Sequence, residues 1–127
     1  MLGNLKELVA IDSCSNDDEI VNYLLKRFSS NSKEIKIIKN KENEKKSVVI
    51  GLNTNLKDVE PIVLSGHIDT VAPDLMKYET NPFELVVKDD KAYGLGSIDM
   101  KSFTAIILDN VDELKRRCYP HCYFINN

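Results

Sequence analysis

The chain has 127 residues, 43% hydrophobic and 29% charged, which is the composition of a single soluble domain able to bury a core. Its formal net charge of -3, with lysines and acids interspersed, gives no basis for a nucleic-acid or anionic-membrane partner. No apolar run approaches the roughly 20 residues of a membrane-spanning helix, and no apolar segment follows a basic start, so a cytoplasmic protein without a membrane partner is expected.

Leu2 to Ile11 place Leu2, Leu5, Leu8 and Val9 on one helical stripe, which predicts a short amphipathic helix ending at the polar break Asp12-Ser13-Cys14-Ser15. A second helix is signalled by Asn16 with Glu19 three residues on, a box-like start. Ile20, Val21, Leu24, Leu25 and Phe28 then recur on one face as far as Ser29-Ser30-Asn31. The alternation in Glu34-Ile35-Lys36-Ile37-Ile38 predicts a half-buried edge strand, and the charged run from Lys39 to Lys46 a solvated turn. Ser47 to Leu52 and Pro61 to Ser65 are continuous apolar runs separated by a turn-forming segment, as expected of strands covered on both faces. Helices followed by buried strands point to an α/β fold with helices on both faces of the sheet.

The second run continues into Ser65-Gly66-His67-Ile68-Asp69-Thr70-Val71. Side chains alternate along an extended chain, so His67 and Asp69 share a face at the strand end. A neutral imidazole ligates Zn²⁺, and a neighbouring carboxylate can accept its other N–H and fix the tautomer. The same spacing also suits a solvated polar strand end. Ala72 to Pro82 is expected to be loop, and Phe83 to Val87 with Ala92-Tyr93 a hairpin about Asp89-Asp90-Lys91. Next, Gly94-Leu95-Gly96-Ser97-Ile98-Asp99-Met100-Lys101 leads into a helix carrying Phe103, Ile106, Ile107, Leu108, Val111 and Leu114. Asp99, at the loop-to-helix junction, suits either a helix N-cap or a carboxylate shared between two divalent ions.

Cys14, Cys118 and Cys122 form an odd set and read as reduced thiols. Cys118, Cys122 and His121 lack the second ligand pair of a structural metal site. The sequence has neither an internal repeat nor a linker.

Together Ser65 to Val71, Asn81-Pro82-Phe83 and Tyr93 to Lys101 resemble, in identity, order and spacing, the co-catalytic zinc aminoacylase and carboxypeptidase family, which includes acetylornithine deacetylase and succinyl-diaminopimelate desuccinylase. The resemblance extends from about Leu2 to Lys115. It implies that His67 ligates one zinc, that Asp69 is its catalytic-site partner, and that Asp99 bridges two Zn²⁺ ions, for which Co²⁺ is a substitute. Leu95 and Phe103 favour the acetylornithine deacetylase branch, and with it arginine biosynthesis. Ser102 stands where glycine is usual and Tyr78 where tryptophan is common.

The implied fold is the N-terminal part of a three-layer α/β/α zinc-peptidase-like catalytic domain with a mostly parallel sheet, spanning residues 1–127, with the lid and dimerisation domain absent. The implied reaction is hydrolysis of an N-acyl amino acid amide by a metal-activated water. By the same resemblance the general base, first of two adjacent glutamates, and the remaining ligands lie beyond Asn127. The segment Arg116 to Asn127, rich in cysteine, tyrosine and histidine, departs from what precedes it, which points to a frameshift or premature stop. An inactive truncated chain is therefore expected. The alternatives are a succinyl-diaminopimelate desuccinylase or another peptidase of the family, and a noncatalytic remnant or a module completed by a separate C-terminal piece.

Overall fold

The structure is a computed structural model that describes residues 2–15, 17–30, 32, 34–42, 44–56 and 58–117 in full, and 121–126 as backbone. Among the described residues, three α-helices share a core with a four-stranded sheet, and a two-stranded hairpin is separate.

Helix α1 (Leu2–Val9) buries Leu5, Leu8 and Val9, while Leu2, expected on the same stripe, remains exposed at the first position. Helix α2 (Asp18–Phe28) buries Ile20, Val21, Leu24 and Phe28. Its acidic first turn, Asp18 and Glu19, and basic last turn, Lys26 and Arg27, both complement the helix dipole. The expected start at Asn16 lies outside the described residues. Asp17 holds the N-cap position without a side-chain cap, and its carboxylate instead accepts the Lys46 backbone N–H at 2.6 Å, fixing the helix start to the sheet.

Strands β1 (Glu34–Lys39) and β2 (Lys46–Leu52) form an antiparallel hairpin in which Ile35 faces Ile50 and Ile37 faces Val48. Strand β3 (Ile62–His67) is followed by the loop from Ile68 to Leu85, whose one regular piece among the described residues is a single 3-10 turn at Leu75–Lys77, capped by the Asp74 carboxylate. The expected hairpin is present as β4 (Val86–Lys88) and β5 (Lys91–Tyr93). Asp89 and Asp90 both have positive φ, 51° and 58°, the pattern of a tight turn whose twist matches its strands. Helix α3 (Lys101–Arg116) buries Thr104, Ala105, Ile107, Leu108 and Val111.

Residues 121–126 form β6, which lies between β2 and β3 in the order β1-β2-β6-β3. It pairs antiparallel with β2 and parallel with β3, with Asn126 opposite His67. Unusual as the tail is in composition, Tyr123-Phe124-Ile125 is a run of strand-favouring residues, and its backbone takes an interior position in the sheet. Readings placed on residues 118–120, and on the side chains of His121 and Cys122, lie outside the described residues.

The α/β class holds, and two finer features differ. Two of the three strand pairings are antiparallel, so the sheet is mixed in these residues and not mostly parallel. The helices share one core with Val48, Ile50 and Leu52, while Ile38 and Val63, on the other face, are about half exposed. Of the continuous apolar runs, Ser47 to Leu52 is therefore buried on one face only, and in Pro61 to Ser65 only Leu64 is partly buried.

Candidate metal centre

The centre forms where β3 ends and α3 begins. Gly66, one residue before the end of β3, makes this approach possible: a Cβ there would lie 2.5 Å from Phe103 Cδ1 and 2.8 Å from Met100 Cε. The α3 start is thus held against the strand end that carries His67.

His67 and Asp99, 32 positions apart in sequence, meet there, with His67 Nε2 2.9 Å from Asp99 Oδ1. The other ring nitrogen, Nδ1, lies 3.1 Å from the Asp69 carbonyl oxygen and 3.2 Å from Asp69 Oδ1. All three partners are acceptors, so the geometry is fully satisfied when both ring nitrogens carry a proton. Burial alone would lower the His67 pKa, but the hydrogen bonds to Asp99 and the Asp69 carbonyl, with the charges of both carboxylates, outweigh it. His67 therefore stands above its ordinary value.

Of the two readings open for Asp99, the N-cap is not adopted. Met100 occupies that position without a side-chain cap, and the Asp99 carboxylate, 83% exposed, points to His67 instead. The Asp69 carboxylate lies beside Nδ1 together with its own backbone carbonyl. If Nδ1 keeps its proton for Asp69, Nε2 is left with its lone pair directed at Asp99, so imidazole nitrogen and carboxylate oxygen converge as borderline and hard donors suited to a divalent ion. The donor types fit such an ion but do not complete its shell: among the described residues no cluster of three or more histidine, cysteine, aspartate or glutamate side chains is assembled. His67 and Asp99 are two donors, whereas a catalytic zinc site has three protein ligands plus water.

Two residues beside the centre went unnoticed in the sequence. Ser13, read as part of a polar break, is fully buried and its Oγ donates to the Ile68 carbonyl at 2.7 Å. Lys101, read only as the end of a motif, is also fully buried and its Nζ donates to the Ile11 carbonyl at 2.7 Å. Burial pulls the Lys101 pKa down to about 8 against a smaller opposing effect of Asp12. A signal for Lys101 existed, since it falls at i relative to Thr104, Ala105 and Leu108 at i+3, i+4 and i+7, on the helix's buried stripe.

Residues 63–122 match the model of Peptidase family M20/M25/M40, a stretch that begins in β3, includes His67, Asp69 and Asp99, and reaches into β6. The chain is 47% identical over 53 residues to acetylornithine deacetylase of Pasteurella multocida (strain Pm70), covering 42% of this chain and 14% of that protein. It is 45% identical over 65 residues to acetylornithine deacetylase of Yersinia pseudotuberculosis serotype O:1b (strain IP 31758), covering 51% and 17% respectively. The chain thus matches about a sixth of the length of these curated relatives.

In fold it is similar to human carnosine dipeptidase 1, with a TM-score of 0.81 at 18% identity over 98% of this chain and 31% of that one. It is equally similar to an M20 family metallo-carboxypeptidase from Sulfolobus solfataricus, with a TM-score of 0.81 at 21% identity over 98% and 30%. The resemblance read from the motifs therefore holds in sequence over the segment that carries them and in fold over nearly the whole chain.

Proposed function

We propose, for a chain whose motif-bearing segment matches Peptidase family M20/M25/M40, that it supplies part of the metal centre of an amide hydrolase of the acetylornithine deacetylase kind. His67 and Asp99 are the metal donors and Asp69 the orienting carboxylate. The observation that carries this reading is the approach of His67 Nε2 to Asp99 Oδ1, 2.9 Å, while Nδ1 faces Asp69. Zinc is the ion proposed, with Co²⁺ as substitute. When bound, such an ion lowers the pKa of its water and polarises an acyl carbonyl. Asp69 holds the imidazole in the tautomer that leaves Nε2 unprotonated, and Asp99 supplies the opposing negative charge.

An N-acyl amino acid is the substrate class, cytoplasmic arginine biosynthesis the setting, and residues 1–127 the N-terminal portion of the catalytic domain. A desuccinylase of the same family is the neighbouring alternative. A Co²⁺ titration of the full chain tests the centre, with ring signals of His67 followed by NMR. The expected result is weak binding that perturbs His67 and is lost in His67→Ala and Asp99→Asn. Cobalt binding that leaves the His67 ring untouched would refute the assignment.

A second reading is favoured by the absence of a three-donor cluster among the described residues. In it the 127-residue chain has no hydrolase activity by itself and acts only when another polypeptide completes the ligand shell and brings a base. A positioned general base contributes about 10²- to 10⁴-fold to rate, and the incomplete shell weakens metal binding as well. Purified chain given N-acetylornithine and Zn²⁺ or Co²⁺ is expected to show no turnover above the metal-only background. Turnover at a rate typical of enzymes, about 1 s⁻¹ or faster, would overturn this reading and leave the first intact.

A further inference from the structure

We infer that the loop following α1 is a strap that sets the approach of His67 to Asp99, and that Ser13 and Lys101, at its two attachment points, are positioning residues. The strap, Ala10 to Ser15, is bonded to each of the segments that carry the pair. Ser13 Oγ donates to the carbonyl of Ile68, the residue between His67 and Asp69, across 55 positions of sequence. Lys101 Nζ donates to the carbonyl of Ile11, two residues earlier in the same strap, across 90 positions. The Lys101 backbone N–H also donates to Gly96 O at 2.9 Å, closing the turn that contains Asp99. One residue therefore closes the Asp99 turn with its main chain and fastens it to the strap with its side chain.

The strap has a defined shape of its own, because the Asp12 carboxylate accepts the Cys14 backbone N–H at 2.9 Å in a local Asx turn. The two segments that carry the pair also touch directly. Gly96, at φ +73°, sits where a Cβ would be 2.9 Å from Thr70 Cγ2 and 3.2 Å from Lys101 Cδ.

The contrast in exposure is what makes the strap necessary. The His67 and Asp99 side chains are 41% and 83% exposed, and an exposed ion pair is too weak to impose its own geometry on two loops. The two anchoring donors, Ser13 and Lys101, are fully buried, where a hydrogen bond cannot be exchanged for water without cost. Position is thus defined in the interior and expressed at the surface. This inference depends on the metal-centre reading only for its purpose, since the strap would set the same approach with no ion bound.

The test is the nuclear Overhauser contact between the His67 ring and the Asp99 β-protons in the full chain, without added metal. It is measured in the wild type, Ser13→Ala, Lys101→Met and the core truncation Leu24→Ala. Urea midpoints are measured alongside. Expected is a cross-peak in the wild type that is lost in Ser13→Ala and Lys101→Met. It should persist in Leu24→Ala, although that variant also loses stability. Ser13→Ala removes a single oxygen and decides the matter if Lys101→Met does not fold. A cross-peak that survives in folded Ser13→Ala, or disappears equally in Leu24→Ala, overturns the inference. Failure of the Co²⁺ titration alone would refute the metal reading and leave the Overhauser result standing.

Discussion

At the scale of single residues, under the proposed reading a proton and a divalent ion would compete for the same two atoms, His67 Nε2 and Asp99 Oδ1. His67 Nε2 and Asp99 Oδ1 share a proton in the protonated state, and the His67 pKa is raised as a result. Because its folded pKa exceeds the unfolded one, this histidine's contribution to stability is complete below about pH 6.5 and fades as the pH rises through the raised folded value. Metal binding as proposed would require the neutral ring and would strengthen in the opposite direction. Asp99→Asn is expected to bring the His67 midpoint, followed by NMR, back toward its ordinary value; an unmoved midpoint would show that Asp99 is not the partner in solution. Lys101 obeys the opposite sign. Its pKa falls to about 8 from 10.5, so between these values the unfolded chain binds more protons and stability gained from this group rises with pH. Urea midpoints measured across that interval should rise in the wild type relative to Lys101→Met, whose curve lacks this contribution.

At the scale of elements, the contact that builds the centre is β3 against the start of α3, and Gly66 decides how close they come. A methyl group there would collide with the Phe103 ring at 2.5 and 2.7 Å, and the ring cannot swing aside as freely as the Met100 terminus can. Gly66→Ala is expected to destabilise the fold by about 1 to 3 kcal/mol and to push α3 away from His67, weakening the ring's contact with Asp99. Thermal melts together with the His67 cross-peak would check both effects. Much of this was readable beforehand. The apolar stripes of α1 and α2, the β1 edge strand and the hairpin about Asp89-Asp90 follow from periodicity and turn chemistry, whereas the meeting of His67 with Asp99 was implied only by the resemblance of their motifs to a known family. Ser13 and Lys101 were not readable as anchors because each bonds a carbonyl far away in sequence, and no local pattern encodes a partner 55 or 90 positions distant. The helix face was misjudged at Ile106, which is 48% exposed, because polar Lys101 and Thr104 take places on the buried stripe that hydrophobicity alone would give to apolar residues. The strand at residues 121–126 was not read from the tail's unusual composition, because strand formation depends on β-propensity and pairing partners.

At the scale of the whole molecule, the sheet formed by the described residues has two outer strands, and they are guarded differently. Strand β1 carries Glu34, Lys36 and Lys39 along its length, the charged decoration that discourages pairing with another chain. Strand β3, Ile62-Val63-Leu64-Ser65-Gly66-His67, carries no Lys, Arg, Asp or Glu, and Val63 is 59% exposed on the face that the helices leave uncovered. Unpaired backbone groups beside an exposed apolar side chain form a template for strand addition, so the isolated chain is expected to self-associate through β3 as its concentration rises. Val63→Lys should suppress that association while changing monomer stability by no more than about 0.5 kcal/mol, because the side chain is already largely in water. Ile38→Lys adds the same charge to β1, whose edge is already defended, and should leave association nearly as it was. Sedimentation velocity over a range of concentrations distinguishes the cases. Equal association in the wild type and Val63→Lys would show that the β3 edge is not the route.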